Sequence, residues 1–366
     1  MKILFDLSFI RLDLYTGVAK YAYRILDYVV SSNQYGNFKL LLNVASARQI
    51  KTWYPQFDTI VIGRRGLLKI PVIRTLWCMF EFPKTVNCSG CDIVFCPYGG
   101  SINCLKTKVK KITTIHDLQL QVDLKGISKI LPKIWDDTVV KNSDAIVTIS
   151  EFSKNQILSF YPELEGRVFP LGNSVSVNEK SSVDLQIAYR YILYVGRLSG
   201  KKNVLTLLKA FNRIRNKIEN RKLVIIGKTN SYWENTLFPY IENQGLSEQI
   251  ILVESCSEDE LTAWYKRADL FVFPSIREGF GSPPLEAAIL EVPVITSLAD
   301  SLEEVTMGLL NSYKNPMDDE ELSNKILTVL TNPPAKECLK EIRRKLLVKY
   351  SSEIVGQQIC NFIYNY

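Results

Sequence analysis

The sequence predicts an α/β fold of two doubly wound parallel sheets, each in a domain of its own. The chain has 366 residues, more than twice the common size of one domain. Short apolar runs alternate with longer amphipathic stretches, the pattern of strands joined by helices in parallel sheets. An aspartate precedes a buried apolar run at Asp92, Asp144 and Asp269, which indicates that the two halves are built alike.

The predicted strands are runs of four or five mostly apolar residues. In the first half they are residues 2–5, 40–44, 59–62, 93–96, 111–115 and 145–149. In the second half they are residues 191–195, 222–226, 250–253, 270–273 and 292–295. Helices are predicted between them, for example over 18–30, 153–160, 204–217 and 258–267, and again towards the end over 338–366.

Residues 173–182 are polar and weakly patterned, so we expect the linker between the domains there. The sequence thus predicts an N-terminal domain over residues 1–175 and a C-terminal domain over residues 176–345. Residues 346–366 form a terminal helical segment in this prediction.

Composition excludes several classes of protein. The chain is 46% hydrophobic with 18 glycines and 15 prolines, unlike disordered or collagen-like sequences. No uncharged apolar stretch reaches the roughly 18 residues of a membrane span, and Asp6 interrupts the apolar start, so no signal peptide is expected. Among the eight cysteines, Cys88 and Cys91 have ligand spacing but lack a second such pair. We expect a cytoplasmic protein with reduced thiols.

The basic residues concentrate in the first half. Residues 1–180 hold 23 Lys and Arg against 15 Asp and Glu, and the remainder holds 22 against 23. This asymmetry indicates an anionic partner, such as a phospholipid surface or a phosphorylated acceptor, with ordinary solvated lysines as the alternative. The cations in question are Arg64, Arg65, Lys69, Arg74, Lys106, Lys108, Lys110 and Lys111.

Residues 64–80 combine four of these cations with Trp77 and contain no acid. Such a segment can lie flat on an anionic membrane. A core-packing helix with a solvated basic edge is the alternative, and Pro71 argues against one continuous helix.

Two glutamates, Glu278 and Glu286, stand on either side of a glycine-containing loop. The loop follows the predicted strand 270–273 and leads into a predicted helix that starts near Leu285. Glycines let a ligand approach the backbone, and a helix N-terminus offers unpaired N–H groups to an anion. Because open α/β sheets bind ligands at the carboxyl ends of their strands, this pattern indicates a binding site. The alternative is that Glu286 is only an acid of the first helical turn, stabilised by the helix dipole.

A second loop carries two cations. Arg197 and Lys202 stand five residues apart, after the predicted strand 191–195 and Gly196. Arginine can bind two phosphate oxygens at once and lysine adds a point charge, so the pair suits a diphosphate.

Two further candidates lie in the first half. Gly17 ends a loop after the first strand, and this loop lacks the G-x-G-x-x-G pattern, which disfavours a dinucleotide-dependent oxidoreductase. His116, the single histidine, directly follows the predicted strand 111–115, where active-site residues of this architecture lie. A satisfied structural histidine is the alternative for His116.

Together these residues resemble glycosyltransferase family 4, retaining enzymes of GT-B fold that use nucleotide sugars. The resemblance is strong over residues 190–300 and weaker in the first half. It rests on the Glu278–Glu286 spacing, the loop 196–202, the runs 257–261 and 268–275, the Gly17 loop, the His116 segment and residues 148–153.

The resemblance implies a role for each candidate. Glu286 would hold the ribose hydroxyls of the donor and Glu278 would face the transferred sugar. Arg197 and Lys202 would neutralise the diphosphate, in the place that a metal takes in other transferases. His116 would lie near the donor sugar. The remaining donor contacts would come from Gly17, Gly196, Phe280, Gly281 and Ser282.

No Asp-x-Asp motif is present, which agrees with a metal-free site, and no cofactor is expected besides the donor. No carboxylate is clearly placed as a covalent nucleophile, so front-face displacement is expected.

Members of the family often carry two adjacent glycines where this chain has Thr16 and Gly17. By resemblance, the last helix crosses back onto the first domain.

These expectations describe a hexosyltransferase that moves mannose, rhamnose, galactose or glucose to a lipid-diphosphate-linked glycan in O-antigen or capsule synthesis. It would be cytoplasmic, peripheral on an anionic membrane, and without a nucleic-acid partner. A GT-B sugar-nucleotide epimerase and a catalytically silent glycan- or nucleotide-binding scaffold are the alternatives. A panel of labelled nucleotide sugars, with and without a lipid-diphosphate acceptor, distinguishes the three.

Overall fold

The computed structural model describes residues 1–10, 17–63, 71–116, 118 and 130–366, without the side chains of residues 71–75 and 130–132. The chain forms two compact units. Unit 1 contains Met1–Ser174 and Ser352–Tyr366, and unit 2 contains Val175–Ser351. Between Pro170 and Tyr191 the chain forms neither helix nor strand.

Strands and helices alternate along unit 1, as the apolar patterning predicts. They are β1 (Ile3–Leu7), α1 (Gly17–Ser31), β2 (Phe38–Asn43), α2 (Ala47–Trp53), β3 (Asp58–Ile62), α3 (Pro71–Asn87), β4 (Ile93–Cys96), β5 (Lys110–Thr114), α4 (Ile130–Lys141), β6 (Ala145–Thr148), α5 (Glu151–Phe160) and β7 (Val168–Pro170). Within the described residues these strands form one parallel sheet in the order β3-β2-β1-β4-β5-β6-β7.

Unit 2 repeats this arrangement. Its elements are β8 (Tyr191–Val195), α6 (Val204–Ile214), β9 (Lys222–Ile226), α7 (Phe238–Asn243), β10 (Ile250–Val253), α8 (Glu258–Arg267), β11 (Leu270–Phe273), α9 (Ser282–Ile289), β12 (Val294–Ser297), α10 (Leu302–Val305), β13 (Asn311–Tyr313), α11 (Asp319–Thr331) and α12 (Lys336–Tyr350). The strands form a parallel sheet in the order β10-β9-β8-β11-β12-β13. The predicted α/β fold is confirmed.

The strand order gives each sheet a switch crevice, by which we mean the carboxyl edge between two central strands whose following connections run in opposite directions. In unit 1 it lies between β1 and β4, and in unit 2 between β8 and β11. Open α/β sheets bind ligands at this position because the diverging loops leave room there.

The recurring aspartates form hydrogen bonds or ion pairs with residues at the start of adjacent strands. The Asp92 carboxylate accepts the Lys2 N–H at 2.7 Å, and the Asp144 carboxylate accepts the Lys111 N–H at 2.7 Å. In unit 2, Asp269 instead pairs with two arginines, Arg190 at 3.0 Å and Arg221 at 2.8 Å. The aspartates thus satisfy polar groups at the amino edges of the sheets.

The strands at 93–96, 191–195, 222–226, 250–253 and 270–273 are confirmed residue for residue. The strand predicted at 292–295 begins instead at Val294, because Pro293 has no N–H to give to the sheet. The helical pattern predicted over 204–217 ends as an α-helix at Ile214 and continues as one tighter turn.

Within the segment at 64–80, the structure describes the part from Pro71 onward, which belongs to α3. Arg64, Arg65 and Lys69 lie outside the described residues, as does the side chain of Arg74. The helix buries Cys78, Phe82 and Val86 in the core that β1, β2 and β4 share. Its other side exposes three large apolar side chains, Leu76 (44% exposed), Trp77 (38%) and Phe80 (58%). The core-packing interpretation is therefore right for one face of α3. It does not account for the exposed apolar side chains on the opposite face.

Lys111, counted among the surface cations from the sequence, is fully buried. Its Nζ donates to the carbonyl oxygens of Asn103 and Leu105, each at 2.9 Å. The expectation that Lys111 faces an anionic partner is therefore wrong, whereas Lys106 and Lys108 are exposed.

The return of the chain to unit 1 begins later than residue 346. Residues 346–350 belong to α12 of unit 2, where the Tyr350 ring packs edge-on against Phe280 at 5.4 Å. The last helix, α13 (Ser352–Asn365), then packs on α1 of unit 1. Gly356 makes this approach possible, because a Cβ there would lie 2.5 Å from the Cβ of Tyr28.

Among the residues that the structure describes, no helix combines the length and the apolar character needed to cross a bilayer.

Candidate active site

The switch crevice of unit 2 brings together the two loops that the sequence singled out. The loop after β8 holds Gly196, Arg197 and Lys202, and the loop after β11 holds Glu278. These loops leave adjacent strands, so their side chains meet at one edge of the sheet.

Lys202 and Glu278 form an ion pair across the crevice. Lys202 Nζ lies 2.5 Å from Glu278 Oε1 and 5.6 Å from the centre of the Phe273 ring. Glu278 is 7% exposed, so this pair is shielded from most of the solvent. Arg197, on the same loop as Lys202, is exposed. The crevice therefore holds a paired cation and carboxylate with a second cation on its rim.

The backbone of Glu278 is held on both sides by the loop after β12. Its N–H donates to Asp300 Oδ2 at 3.1 Å, and its carbonyl accepts the Ser301 hydroxyl at 2.9 Å. Ser301 is fully buried. Burial raises the pKa of the Asp300 carboxyl, and the bond from the Glu278 N–H opposes that rise. These contacts fix where the Glu278 side chain starts and leave its carboxylate to interact with Lys202.

Asn203 connects three loops of unit 2. Its side-chain amide donates to the carbonyls of Pro274 at 3.1 Å and Pro316 at 2.6 Å. The residue has a left-handed backbone (φ 57°) directly before α6, and it is 4% exposed. Asn203 thus fixes the end of the Lys202 loop against the start of the Glu278 loop.

Ser275 adds a second connection between the same loops. Its hydroxyl lies 3.1 Å from the carbonyl oxygens of Lys201 and Arg277, and its own carbonyl accepts a bond from the Ser297 hydroxyl. Ser275 and Ser297 are fully buried. Fully buried side chains therefore hold the loops at the carboxyl edge of the unit 2 sheet together.

Gly196 and Gly227 lie so close that any side chain at Gly227 would collide with the Gly196 carbonyl. The nearby Tyr194 hydroxyl donates to the Arg197 carbonyl at 3.0 Å. These contacts define the path of the loop on the side of β9.

Glu286 lies on α9, in the second turn after Gly281. Gly281 has a φ of 81°, and a Cβ there would lie 2.5 Å from a methyl of Leu302. Glu286 Oε2 accepts the Tyr265 hydroxyl at 3.2 Å. Burial, together with the Glu286 charge, raises the pKa of Tyr265 well above its usual value. Tyr265 therefore stays a hydrogen-bond donor that orients the Glu286 carboxylate.

Phe280 is 4% exposed and its ring packs in the core. Its side chain is therefore structural, which leaves the main chain as its means of contacting a ligand. Ser282 is half-buried at the first position of α9.

The other two predicted site residues lie in unit 1. Gly17 is the exposed first residue of α1, and the preceding loop, residues 11–16, is outside the described residues. His116 Nε2 lies 3.0 Å from the Pro97 carbonyl, and its ring packs edge-on against Tyr21 at 5.0 Å. The carbonyl of His116 accepts the Ser153 hydroxyl at 3.1 Å. His116 is thus positioned at the carboxyl edge of the unit 1 sheet.

Sequence reasoning missed the residues that support the site. They are Asn203, Tyr265, Ser275, Ser297, Asp300 and Ser301. Most are small polar residues within a few positions of a strand end, a signal that is visible in the sequence but common in every loop.

In the described part of the chain, no three side chains of the types that ligate metals come together as a ligand set.

Comparison with known proteins gives the class of this chain. The family model described as "Glycosyl transferases group 1" matches residues 178–346. The capsular polysaccharide biosynthesis glycosyltransferase CapM of Staphylococcus aureus is 27% identical over 267 residues, 68% of each chain. The O-antigen chain mannosyltransferase B of Escherichia coli is 24% identical over 365 residues, 92% of each chain. Among solved structures, the match to Anabaena Alr3699/HepE in complex with UDP-glucose covers 100% of each chain, with a TM-score of 0.73 and 14% sequence identity.

The two parallel sheets and these matches define an enzyme of the glycosyltransferase class with GT-B architecture. Within it, unit 2 carries the glycosyl transferases group 1 match almost from end to end.

Asn203 provides a test of how this edge is held. We expect Asn203→Ala to destabilise the protein by about 2–4 kcal/mol, because two bonds to carbonyls are lost and alanine must keep a positive φ. Asn203→Gly should lose roughly 1 kcal/mol less, since glycine tolerates that φ. Urea unfolding measures both. Asn33, which is exposed with a φ of 58°, gives the backbone cost alone through the same two substitutions, and equal stability of Asn203→Ala and wild type would contradict the assignment.

Proposed function

We propose that this glycosyltransferase moves a hexose from a nucleotide diphosphate sugar to a glycan acceptor, with retention at the anomeric carbon, in the synthesis of a cell-surface polysaccharide. The Lys202–Glu278 pair in the switch crevice carries the proposal, because it sets a cation for phosphate beside a carboxylate for sugar hydroxyls. The relatives named for capsule and O-antigen synthesis support the choice of product. HepE, solved with UDP-glucose, supports the choice of donor.

Lys202 and Arg197 bind the donor diphosphate in this proposal. A lysine ammonium has three N–H donors, so Lys202 can bond a phosphate oxygen while it keeps Glu278 as a partner. Negative charge grows on the diphosphate as the glycosidic bond breaks. Cations placed at that position bind the transition state more tightly than the ground state, which is the binding that accelerates a reaction.

Glu278 accepts bonds from the hydroxyls of the transferred sugar, and Glu286 accepts bonds from the ribose. A carboxylate has about four acceptor positions, so the bond from Tyr265 to Glu286 is compatible with a ribose hydroxyl on the same group. The contacts of Asp300 and Ser301 with the Glu278 backbone support its role, since preorganised groups need not move during the reaction. The main chain at Gly281 and Ser282 adds donor contacts.

The reaction is a front-face displacement. The acceptor oxygen attacks the anomeric carbon on the side from which the diphosphate leaves, and a departing phosphate oxygen takes the acceptor proton. Arg197 and Lys202 supply the charge that a metal ion supplies in other transferases, so the proposed site uses neither a metal nor a cofactor. In unit 1, His116 and Gly17 are the residues that we propose to bind sugar.

In this proposal unit 1 binds the acceptor. Unit 1 also docks on an anionic membrane surface through the exposed face of α3. The exposed side chains of Leu76, Trp77 and Phe80 border a groove of about 740 Å³ together with Glu81 and Lys84. A contiguous apolar patch at the surface marks an interaction site. The exposed cations Lys106 and Lys108 and the basic excess of the first half suit an anionic leaflet, where each cation contributes about 1 kcal/mol. The protein would then work at the cytoplasmic face of the membrane.

The leaving-group assignment predicts a large effect of the two cations. We expect Arg197→Ala and Lys202→Ala each to lower turnover by about 10²–10³, the effect of losing one donor to a developing anion. The measurement uses the best donor from a panel of labelled UDP-, GDP- and dTDP-sugars, with a lipid-diphosphate acceptor. Lys209→Ala, exposed on α6, is the control and should keep full turnover. Transfer from none of the donors would refute the proposed function, and strict dependence on Mg²⁺ or Mn²⁺ would refute its metal-free form.

The two carboxylates should separate in binding and in catalysis. Glu286→Ala should weaken binding of the free nucleotide diphosphate by about 1.5–3 kcal/mol, because a hydrogen bond to a charged group is lost. Glu278→Gln should lower sugar transfer while nucleotide affinity stays within a factor of about two. Titration calorimetry and initial rates measure these effects. The reverse pattern would mean that the two roles are exchanged.

Membrane docking predicts salt-sensitive binding that needs the exposed face of α3. The wild type should co-sediment with phosphatidylglycerol vesicles at low salt and much less at high salt, where charges are screened. Replacing Leu76, Trp77 and Phe80 together by Ser should reduce the bound fraction at least tenfold and leave nucleotide affinity unchanged. Phe238→Ser, 47% exposed in unit 2, is the control. Equal sedimentation with neutral and anionic vesicles, or with neither, would refute docking.

A further inference from the structure

Two aromatic rings meet at the switch crevice of unit 1. Phe9 stands two residues after β1 and Tyr98 two residues after β4, the pair of strands that borders the crevice. Their ring centres are 5.3 Å apart and the ring planes are inclined by 44°. Tyr98 is 39% exposed and Phe9 is half-buried. The pair therefore presents aromatic surface to solvent at the edge where open α/β sheets bind ligands.

A buried carboxylate fixes the two loops that carry these rings. Asp6, which is fully buried, accepts the Ser8 N–H at 2.9 Å and the Asn103 side-chain amide at 2.9 Å. The same amide lies 2.6 Å from the Tyr98 carbonyl. One side chain thus holds the residue before Phe9 and, through Asn103, the loop of Tyr98.

A buried cation completes this network. Lys111 Nζ donates to the carbonyls of Asn103 and Leu105. Burial raises the pKa of Asp6 and lowers the pKa of Lys111. Removing a carboxyl and an amino group from water is unfavourable. The network that contains them holds in place the two loops that carry Phe9 and Tyr98.

The glycines after Tyr98 determine how its ring lies. A Cβ on Gly100 would come 2.7 Å from Cε1 of the Tyr98 ring, and a Cβ on Gly99 would come 2.8 Å from a methyl of Val139. Side chains at either position would displace the loop or the ring. The neighbouring Pro97 carbonyl contacts His116 Nε2, which places the histidine beside the same loop.

We propose that Phe9 and Tyr98 form an acceptor-sugar platform, two rings that bind the apolar C–H face of a pyranose in the glycan acceptor. The proposal rests on the proposed function, in which unit 1 receives the acceptor. A pyranose carries its C–H groups on a flat apolar face that packs on aromatic rings, and its hydroxyls point outward to polar groups. Rigid aromatic side chains held by a buried network lose little conformational entropy on binding. The proposed function assigns the diphosphate and ribose contacts to unit 2 and the acceptor glycan to unit 1.

Saturation-transfer NMR with methyl glycosides of mannose, glucose, galactose, rhamnose and N-acetylglucosamine tests this directly. At least one glycoside should receive saturation at its ring C–H protons from the wild type. Tyr98→Leu and Phe9→Leu should each reduce that transfer at least fivefold, whereas Tyr98→Phe should retain it because the ring is kept. Trp53→Leu is the matched control, since Trp53 is 45% exposed and its ring pairs edge-on with Tyr23 elsewhere in unit 1. Unchanged urea midpoints show that the variants are folded.

Transfer to no glycoside in the wild type, or unchanged transfer in both leucine variants, would overturn the platform. Loss in these variants of saturation at the base protons of UDP or GDP, with the glycoside signals unaffected, would overturn it in favour of a nucleobase site. The proposed function fails separately, when the wild type consumes no nucleotide sugar. Where transfer is observed, Tyr98→Leu should raise the acceptor KM about tenfold and leave the donor KM unchanged.

Discussion

The loops that follow parallel strands must satisfy their own polar backbone groups, and the rest of this structure depends on how they do so. Such loops lack the regular bonding of a sheet or a helix, and an unpaired polar group away from water costs several kcal/mol. In unit 1 the solution is Asp6 with Asn103, and in unit 2 it is Asn203 with Ser275 and Ser301. These side chains fix the loop ends, and the functional side chains extend from the positions so defined.

The two units use one topology for different chemistry. Their central strand orders correspond element by element, so both have a crevice between the first and fourth strands of the unit. In unit 2 the crevice holds the charged Lys202–Glu278 pair, and in unit 1 it holds the aromatic Phe9–Tyr98 pair. Topology decides where a ligand can approach, and loop residues decide which ligand it is.

The sequence was sufficient to predict the strands that are buried from end to end, since four or five consecutive apolar residues leave little choice of structure. The edge strands β7 (Val168–Pro170) and β13 (Asn311–Tyr313) did not stand out, because each has three residues with one of them buried. The burial of Lys111 is hidden in the sequence for a similar reason: no local pattern distinguishes a lysine whose ammonium is bonded to the carbonyls of Asn103 and Leu105 from a solvated lysine.

The candidate site divides in the same way. Glu278, Lys202 and Glu286 were visible because each lies in or just after a glycine-containing loop that follows a predicted strand. Their supports were not visible, because the value of Asp300 or Tyr265 lies in a partner 22 or 21 residues away that only the fold brings near. The pairing of Phe9 with Tyr98 spans an even longer separation in the chain and depends on the adjacency of β1 and β4.

The chain passes between the units twice, after Ser174 and after Ser351, and this path sets an order of assembly. A ribosome completes unit 2 while unit 1 still lacks α13, whose side chains Val355, Ile359 and Ile363 are buried. Until those residues emerge, the surface of α1 around Tyr28 has no helix to cover it. Unit 1 therefore becomes complete only after unit 2 has been made, and until then it carries an uncovered apolar surface.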